Sequence, residues 1–115
     1  METRIEQHGM EIAVVRLVGK FTIEDVNDFK ALTAPLAQAP VRNILVSCRD
    51  LKFIDSSAIG ALILLTNKVK KQNIGLILYD VDREIANVFK VAYLEKFFRM
   101  AKSEDLAISF PGIPL

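Results

Sequence analysis

The segment Phe53-Ile54-Asp55-Ser56-Ser57-Ala58-Ile59-Gly60 limits the possible folds more than any other part of the chain. It follows an apolar run, Ile44-Leu45-Val46, that reads as a buried strand, and it opens a second apolar run with helical spacing. Ala58, Ala61, Leu62, Leu65 and Val69 form one stripe that Ile59 and Ile63 widen. This predicts a mostly buried helix over Ser56–Lys71. A strand that feeds into a buried helix is the unit of an α/β fold. Two hydroxyls and a carboxylate then stand at a helix N-terminus, where unpaired N–H groups and the helix dipole favour negative charge.

The flanking sequence extends this unit in both directions. Ile5 and Gln7 precede a turn at His8-Gly9, and the run Ile12–Val18 is apolar at nearly every position. That predicts a hairpin whose second strand is interior to a sheet and ends at Gly19-Lys20. Thr22 with Asp25 resembles a capping box, and Val26, Phe29 and Leu32 or Thr33 follow at helical spacing. A first helix is expected over Ile23–Ala34, stopped by Pro35, and Pro40 closes the connection. Asn43–Cys48 is the next strand, with Arg49-Asp50-Leu51-Lys52 as its polar exit.

After the stop signal Asn73-Ile74-Gly75, Leu76–Tyr79 reads as another strand. Asp82 caps a third helix with Ile85, Val88 and Phe89 on one face. Tyr93-Leu94 and Phe97-Phe98 read as an apolar connection closing the core, and Ser103–Ser109 as a last helix before the Pro111/Pro114 tail. The order β-β-α-β-α-β-α-α predicts an α/β single domain over residues 1–115. Its mixed sheet has four to five strands, with about four helices packed mainly on one face.

Composition narrows the function. With 51% apolar and 25% charged residues in 115, the chain is that of a folded domain. A net charge of +1 gives no reason to invoke nucleic acid. The dense basic run Lys68-Val69-Lys70-Lys71 falls at a helix end, where cations complement the dipole. The single Cys48 excludes an internal disulfide and fits a reducing compartment. No apolar run is long enough for membrane insertion, so a cytoplasmic protein is expected.

Catalysis has little support. A serine nucleophile needs a base, and the only histidine, His8, reads as a solvated turn residue. No His/Cys/Asp/Glu cluster has metal spacing and no Gly-rich phosphate loop follows a strand, so neither metal nor cofactor is expected. A receiver domain would need a clustered acid pair after an early strand, and Gly19-Lys20-Phe21 has none. On structural grounds alone, Asp55 is an N-cap and the serines help to start a helix. Gly60, one turn in, costs about 1 kcal/mol of helix propensity relative to alanine, which points to close packing or close approach by a partner.

The run Val46–Gly60 resembles the signature of the STAS family, named for sulfate transporters and anti-sigma-factor antagonists. There a strand and a short loop lead through Asp-Ser-Ser-Gly-Leu-Gly into the second helix. Val15–Lys20, Gly75–Leu78 and Leu94–Phe98 are similar to further segments of the family, so the resemblance covers almost the whole chain. It implies an anti-sigma-factor antagonist that binds an anti-sigma factor with serine kinase activity. In the family, phosphorylation of the serine after the motif aspartate breaks that complex and a serine phosphatase restores it. Here that serine is Ser56, and the expected partner surface comprises Lys52, Phe53, Asp55, Ser56, Ser57 and Ile59. Ala58 replaces a motif glycine, and Thr22 and Ser47 replace two carboxylates often found beside the serine. Those two losses leave room for a non-switching subunit of a sensory scaffold or of a membrane lipid-transport ATPase.

Overall fold

In the computed structural model, which describes residues 1–38 and 40–115, the apolar segments pair into one five-stranded sheet in chain order. β1 (Glu2–His8) and β2 (Ile12–Phe21) make the antiparallel hairpin. β3 (Asn43–Ile54), β4 (Gly75–Tyr79) and β5 (Arg99–Ala101) add in parallel. Between them run α1 (Val26–Thr33), α2 (Ser56–Lys71) and α3 (Arg83–Val91), and α4 (Ser103–Ser109) follows β5. α1 is entered through a 3₁₀ turn at Ile23–Asp25 and left through another at Ala34–Ala37.

Alternation along the strands divides the apolar residues between the two faces of the sheet. Ala13, Val15 and Leu17 of β2 join the larger core with Phe29 of α1, Leu62 of α2 and Phe89 of α3. Val14 joins a smaller core with Leu45, Ile77 and Tyr79, covered by Leu106 of α4 and by the tail residues Phe110, Ile113 and Leu115. Three helices thus cover one face and one short helix the other, as the element order predicts. All five stripe residues of α2 are buried, and no other helix buries as many.

The largest departure from the sequence reading is in β3. Arg49-Asp50-Leu51-Lys52 is not an exit loop, because the strand continues to Ile54. β3 has 12 residues against the 10 of β2, and the pairing shifts register twice, between Arg16 and Val18 and between Gly19 and Lys20. Each shift adds one residue to β3, so inward positions recur at Cys48, Leu51 and Ile54, three apart rather than two. Arg49, Asp50, Lys52 and Phe53 are thereby turned outward. Gly19 sits at the second shift with φ +101°, a conformation that strains other residues. β2 accordingly runs past Gly19-Lys20 to Phe21.

Other differences are local. His8 closes β1 rather than sitting in the turn, half-buried with Nε2 3.5 Å from Glu6 Oε2. Val88 is exposed while Ile85 and Phe89 are buried. In the connection after α3 only Phe98 is buried, its ring tilted against that of Phe89 with centroids 4.9 Å apart, and Tyr93 is 91% exposed. β5 is an addition: three residues carry no readable periodicity. α4 begins as expected, but its cap comes from afar, with Asp80 Oδ1 accepting the Ser103 N–H at 2.8 Å. Asp80 Oδ2 takes Arg49 Nη2 at 2.8 Å.

Because Leu62 is fully buried beneath the sheet, Leu62→Ala is expected to cost about 2–5 kcal/mol through lost transfer energy and the cavity left behind. Chemical denaturation measures this, and a loss below about 1 kcal/mol would contradict the packing described.

Candidate functional site

The site is built at the end of β3. Asp55 is extended (φ −98°, ψ 176°) and stands as N-cap of α2. Its Oδ1 accepts the Ala58 N–H at 2.9 Å, and its Oδ2 accepts the Ile23 N–H at 3.0 Å. The Asp55 N–H donates to the Phe21 carbonyl at 3.1 Å. One residue therefore caps α2 and fastens it to the junction between β2 and α1. That junction carries its own capping box: Asp25 Oδ2 accepts the Thr22 N–H at 3.0 Å, and Thr22 Oγ1 accepts the Glu24 N–H at 3.3 Å. The Thr22 N–H and the Met1 amino group hold the Asp25 carboxyl below the usual carboxylate range.

Ser56 is the first residue of α2 and is exposed, while Ser57 beside it is half-buried. Lys52 and Phe53 face outward from the bulged end of β3, with Phe53 48% exposed. Ile59 is half-buried and packs against the larger core. The predicted residues Lys52, Phe53, Asp55, Ser56, Ser57 and Ile59 thus fall on one continuous segment around the start of α2. Sequence reading missed Ile23, which is 67% exposed and tied to Asp55 through its backbone. Its signal was the capping box, which marks a helix start but does not show where that start docks.

Two further positions are clarified by the geometry. Ser47 is buried in the middle of β3, in register with Arg16 and Tyr79, and several extended residues separate it from Ser56. Of Thr22 and Ser47, only Thr22 adjoins the cap, through the Ile23 N–H that Asp55 accepts. At Gly60 a Cβ would meet no atom of the neighbouring elements within 4 Å. Close packing inside the chain is therefore not what the missing side chain serves.

Cys48 is enclosed in the larger core, and burial, with Asp80 and Asp82 adding to it, pushes its thiol up to about 12. Such a thiol is held in its protonated form, the less nucleophilic one. Among the described residues no group of His, Cys, Asp or Glu is arranged to hold a metal ion. No helix among them is long and apolar enough to cross a membrane. The arrangement around α2 is a capped helix start carrying two hydroxyls, with the exposed apolar side chains of Phe53 and Ile23 on the adjoining segments.

The chain belongs to the STAS-domain family, whose profile matches residues 4–107. A STAS-domain-containing protein of Pseudomonas aeruginosa is 26% identical over 93 residues, spanning 81% of this chain and 90% of that protein. The anti-sigma factor antagonist SpoIIAA in its unphosphorylated form has the same fold, with a TM-score of 0.80 at 23% identity over 99% of this chain and 100% of that one. The phosphorylated form of SpoIIAA, from Bacillus, gives 0.74 at 22% identity over 94% and 98%. A sulfate transporter family protein from Wolinella succinogenes gives 0.70 at 14% identity over 85% and 83%.

Asp55→Ala removes the acceptor of two N–H groups on different elements and is expected to destabilise the fold by about 1–3 kcal/mol. Asp55→Asn keeps one of the two acceptors and should fall between. Thermal or urea unfolding of the two variants checks the order, and equal stability of Asp55→Ala and the parent would show that the bridge contributes nothing.

Proposed function

We propose that this protein is an anti-sigma-factor antagonist that binds an anti-sigma factor with serine kinase activity, and that reversible phosphorylation of Ser56 controls the binding. The observation that carries this reading is an exposed serine at the first position of a capped helix, next to the cap residue that binds Ile23 and three positions after Phe53, both of which expose apolar side chains. Exposed apolar side chains on the segments adjoining a hydroxyl suit protein contact. Phosphate there adds about −1.5 to −2 charge units beside the Asp55 carboxylate and among groups that must be desolvated on binding. The likeness to SpoIIAA, solved in unphosphorylated and phosphorylated forms, supports the same cycle. A serine phosphatase then completes it. The role is binding rather than catalysis, in the cytoplasm where such kinases work.

Incubation with the cognate kinase and ATP, followed by peptide mapping, tests the assignment. Ser56→Ala should abolish incorporation and keep partner binding. Ser56→Asp should weaken binding only in part, because one carboxylate carries less charge than phosphate. Phosphate on Ser57 instead, or full affinity in Ser56→Asp, would overturn the reading.

A second reading has its own observation. The fold is shared with a sulfate transporter family protein, and Thr22 lacks the carboxylate common at that position. On this reading the chain is a non-switching subunit of a sensory scaffold or of a membrane transport ATPase. Failure of any serine kinase to modify Ser56, with a transporter subunit co-purifying, would favour it.

Gly60 separates a partner surface from a bare helix start. With nothing within 4 Å of an added Cβ, Gly60→Ala should stabilise the free protein by up to about 1 kcal/mol. The methyl should at the same time hold off a closely approaching partner and weaken binding several-fold. Melting temperature and affinity measured on this variant should move in opposite senses; unchanged affinity would place the partner away from Gly60.

A further inference from the structure

Away from the Ser56 surface, α1 and α2 leave a groove of about 190 Å³ between them, walled by Phe29, Ala34, Ala37, Ala61 and Leu65. It is open because three of these are alanines, where longer side chains would close the helix pair. The only hydroxyl in the wall is already used, since Thr33 Oγ1 donates to the Phe29 carbonyl at 2.7 Å. The interior therefore offers carbon and no free polar handle. Leu64 stands at the mouth, 54% exposed.

The rim is charged with one sign. Lys30 of α1 and Lys68 of α2 both line the groove, and among the described residues neither is in an ion pair. Lysine stems can lie along apolar surface while their ammonium groups reach water, so two exposed cations border an otherwise apolar groove. At about 190 Å³ the groove is below the roughly 300–1,000 Å³ of sites for drug-sized molecules. It is nearer the about 150 Å³ cavity that takes a single benzene. That size admits one small apolar group, such as an unbranched chain of about eight carbons, and excludes a fused-ring system.

We propose that this groove binds a free medium-chain fatty acid, with the alkyl chain between Phe29 and Leu65 and the carboxylate between Lys30 and Lys68. Burial of the chain's CH₂ groups supplies the affinity. The lysine pair supplies the preference for an anion.

Titration of the isotope-labelled full chain with octanoate, followed by amide chemical shifts, tests this. Saturable shifts are expected at Thr33, Ala61, Leu64 and Lys68, with octanol of the same chain length binding about tenfold more weakly. Both lysines are exposed, so the double variant Lys30→Gln/Lys68→Gln should fold normally and lose about tenfold in octanoate affinity. Rising salt should weaken binding to the parent and leave the variant unchanged. Equal affinity for octanoate and octanol would overturn the proposal. So would shifts spread over Val91, Tyr93 and Ile108 as in unspecific detergent binding. Groove shifts with an anti-sigma kinase but none with octanoate would also overturn it, assigning the groove to a protein interface.

Discussion

The candidate site depends on one carboxylate that serves two elements. A usual N-cap satisfies donors of its own helix only. Asp55 gives one oxygen to Ala58 of α2 and the other to Ile23 at the entrance to α1, while its own N–H is held by Phe21 of β2. The first helix, the central strand pair and the second helix are thus joined at a single residue. This fixes where Ser56 stands relative to Ile23 and Phe53, so surface chemistry at that point follows from the backbone geometry. The cap's hydrogen bonds are made by Asp55 and leave the Ser56 side chain out, so on the proposed reading phosphate there would not cost the cap.

The two bulges of β3 complete this placement. A regular strand pairing with β2 would alternate every second residue, and Lys52 and Phe53 would then face opposite sides of the sheet. By adding one residue at each register shift, β3 keeps Cys48, Leu51 and Ile54 inward and turns the intervening pairs out. An exposed aromatic and a cation thereby arrive together beside the start of α2. The irregularity belongs to the site as much as to the sheet.

How far the sequence could be read follows from the same features. α2 was legible to the residue because its stripe, cap and basic last turn agree at every level. The end of β3 was not, because a bulged strand has no period of two and its polar pairs resemble a loop. β5 escaped notice for a different reason: three residues are too few for any period, and their place is set by pairing with Ile77–Tyr79. The 91–98 connection misled through composition, since Tyr93 looks like core yet takes φ +60° at the end of α3 and points to water. Ile23 was readable as a helix start but not as part of a surface, because its neighbour there is 32 positions away in the chain. Long-range backbone contacts of this kind leave no local trace.

The neutral Thr22, where the family resemblance leads one to expect a carboxylate, would bear on the proposed switch through electrostatics rather than through the fold. Thr22 Oγ1 still accepts the Glu24 N–H, and Asp25 returns the bond, so the helix entrance is kept. What changes is the field around Ser56. Two unit charges about 4 Å apart repel by about 1 kcal/mol in water and about 4 kcal/mol at an effective dielectric constant near 20. A phosphate on Ser56 must already tolerate Asp55, and a second carboxylate at position 22 would add to that repulsion. With a neutral threonine there, the modified state is opposed less by the protein itself. On the proposed reading, discrimination between the two states rests on a partner that would have to desolvate the phosphate on this surface. The outcome on that reading is therefore decided largely at the partner interface, with Asp55 the nearest fixed charge of the free protein.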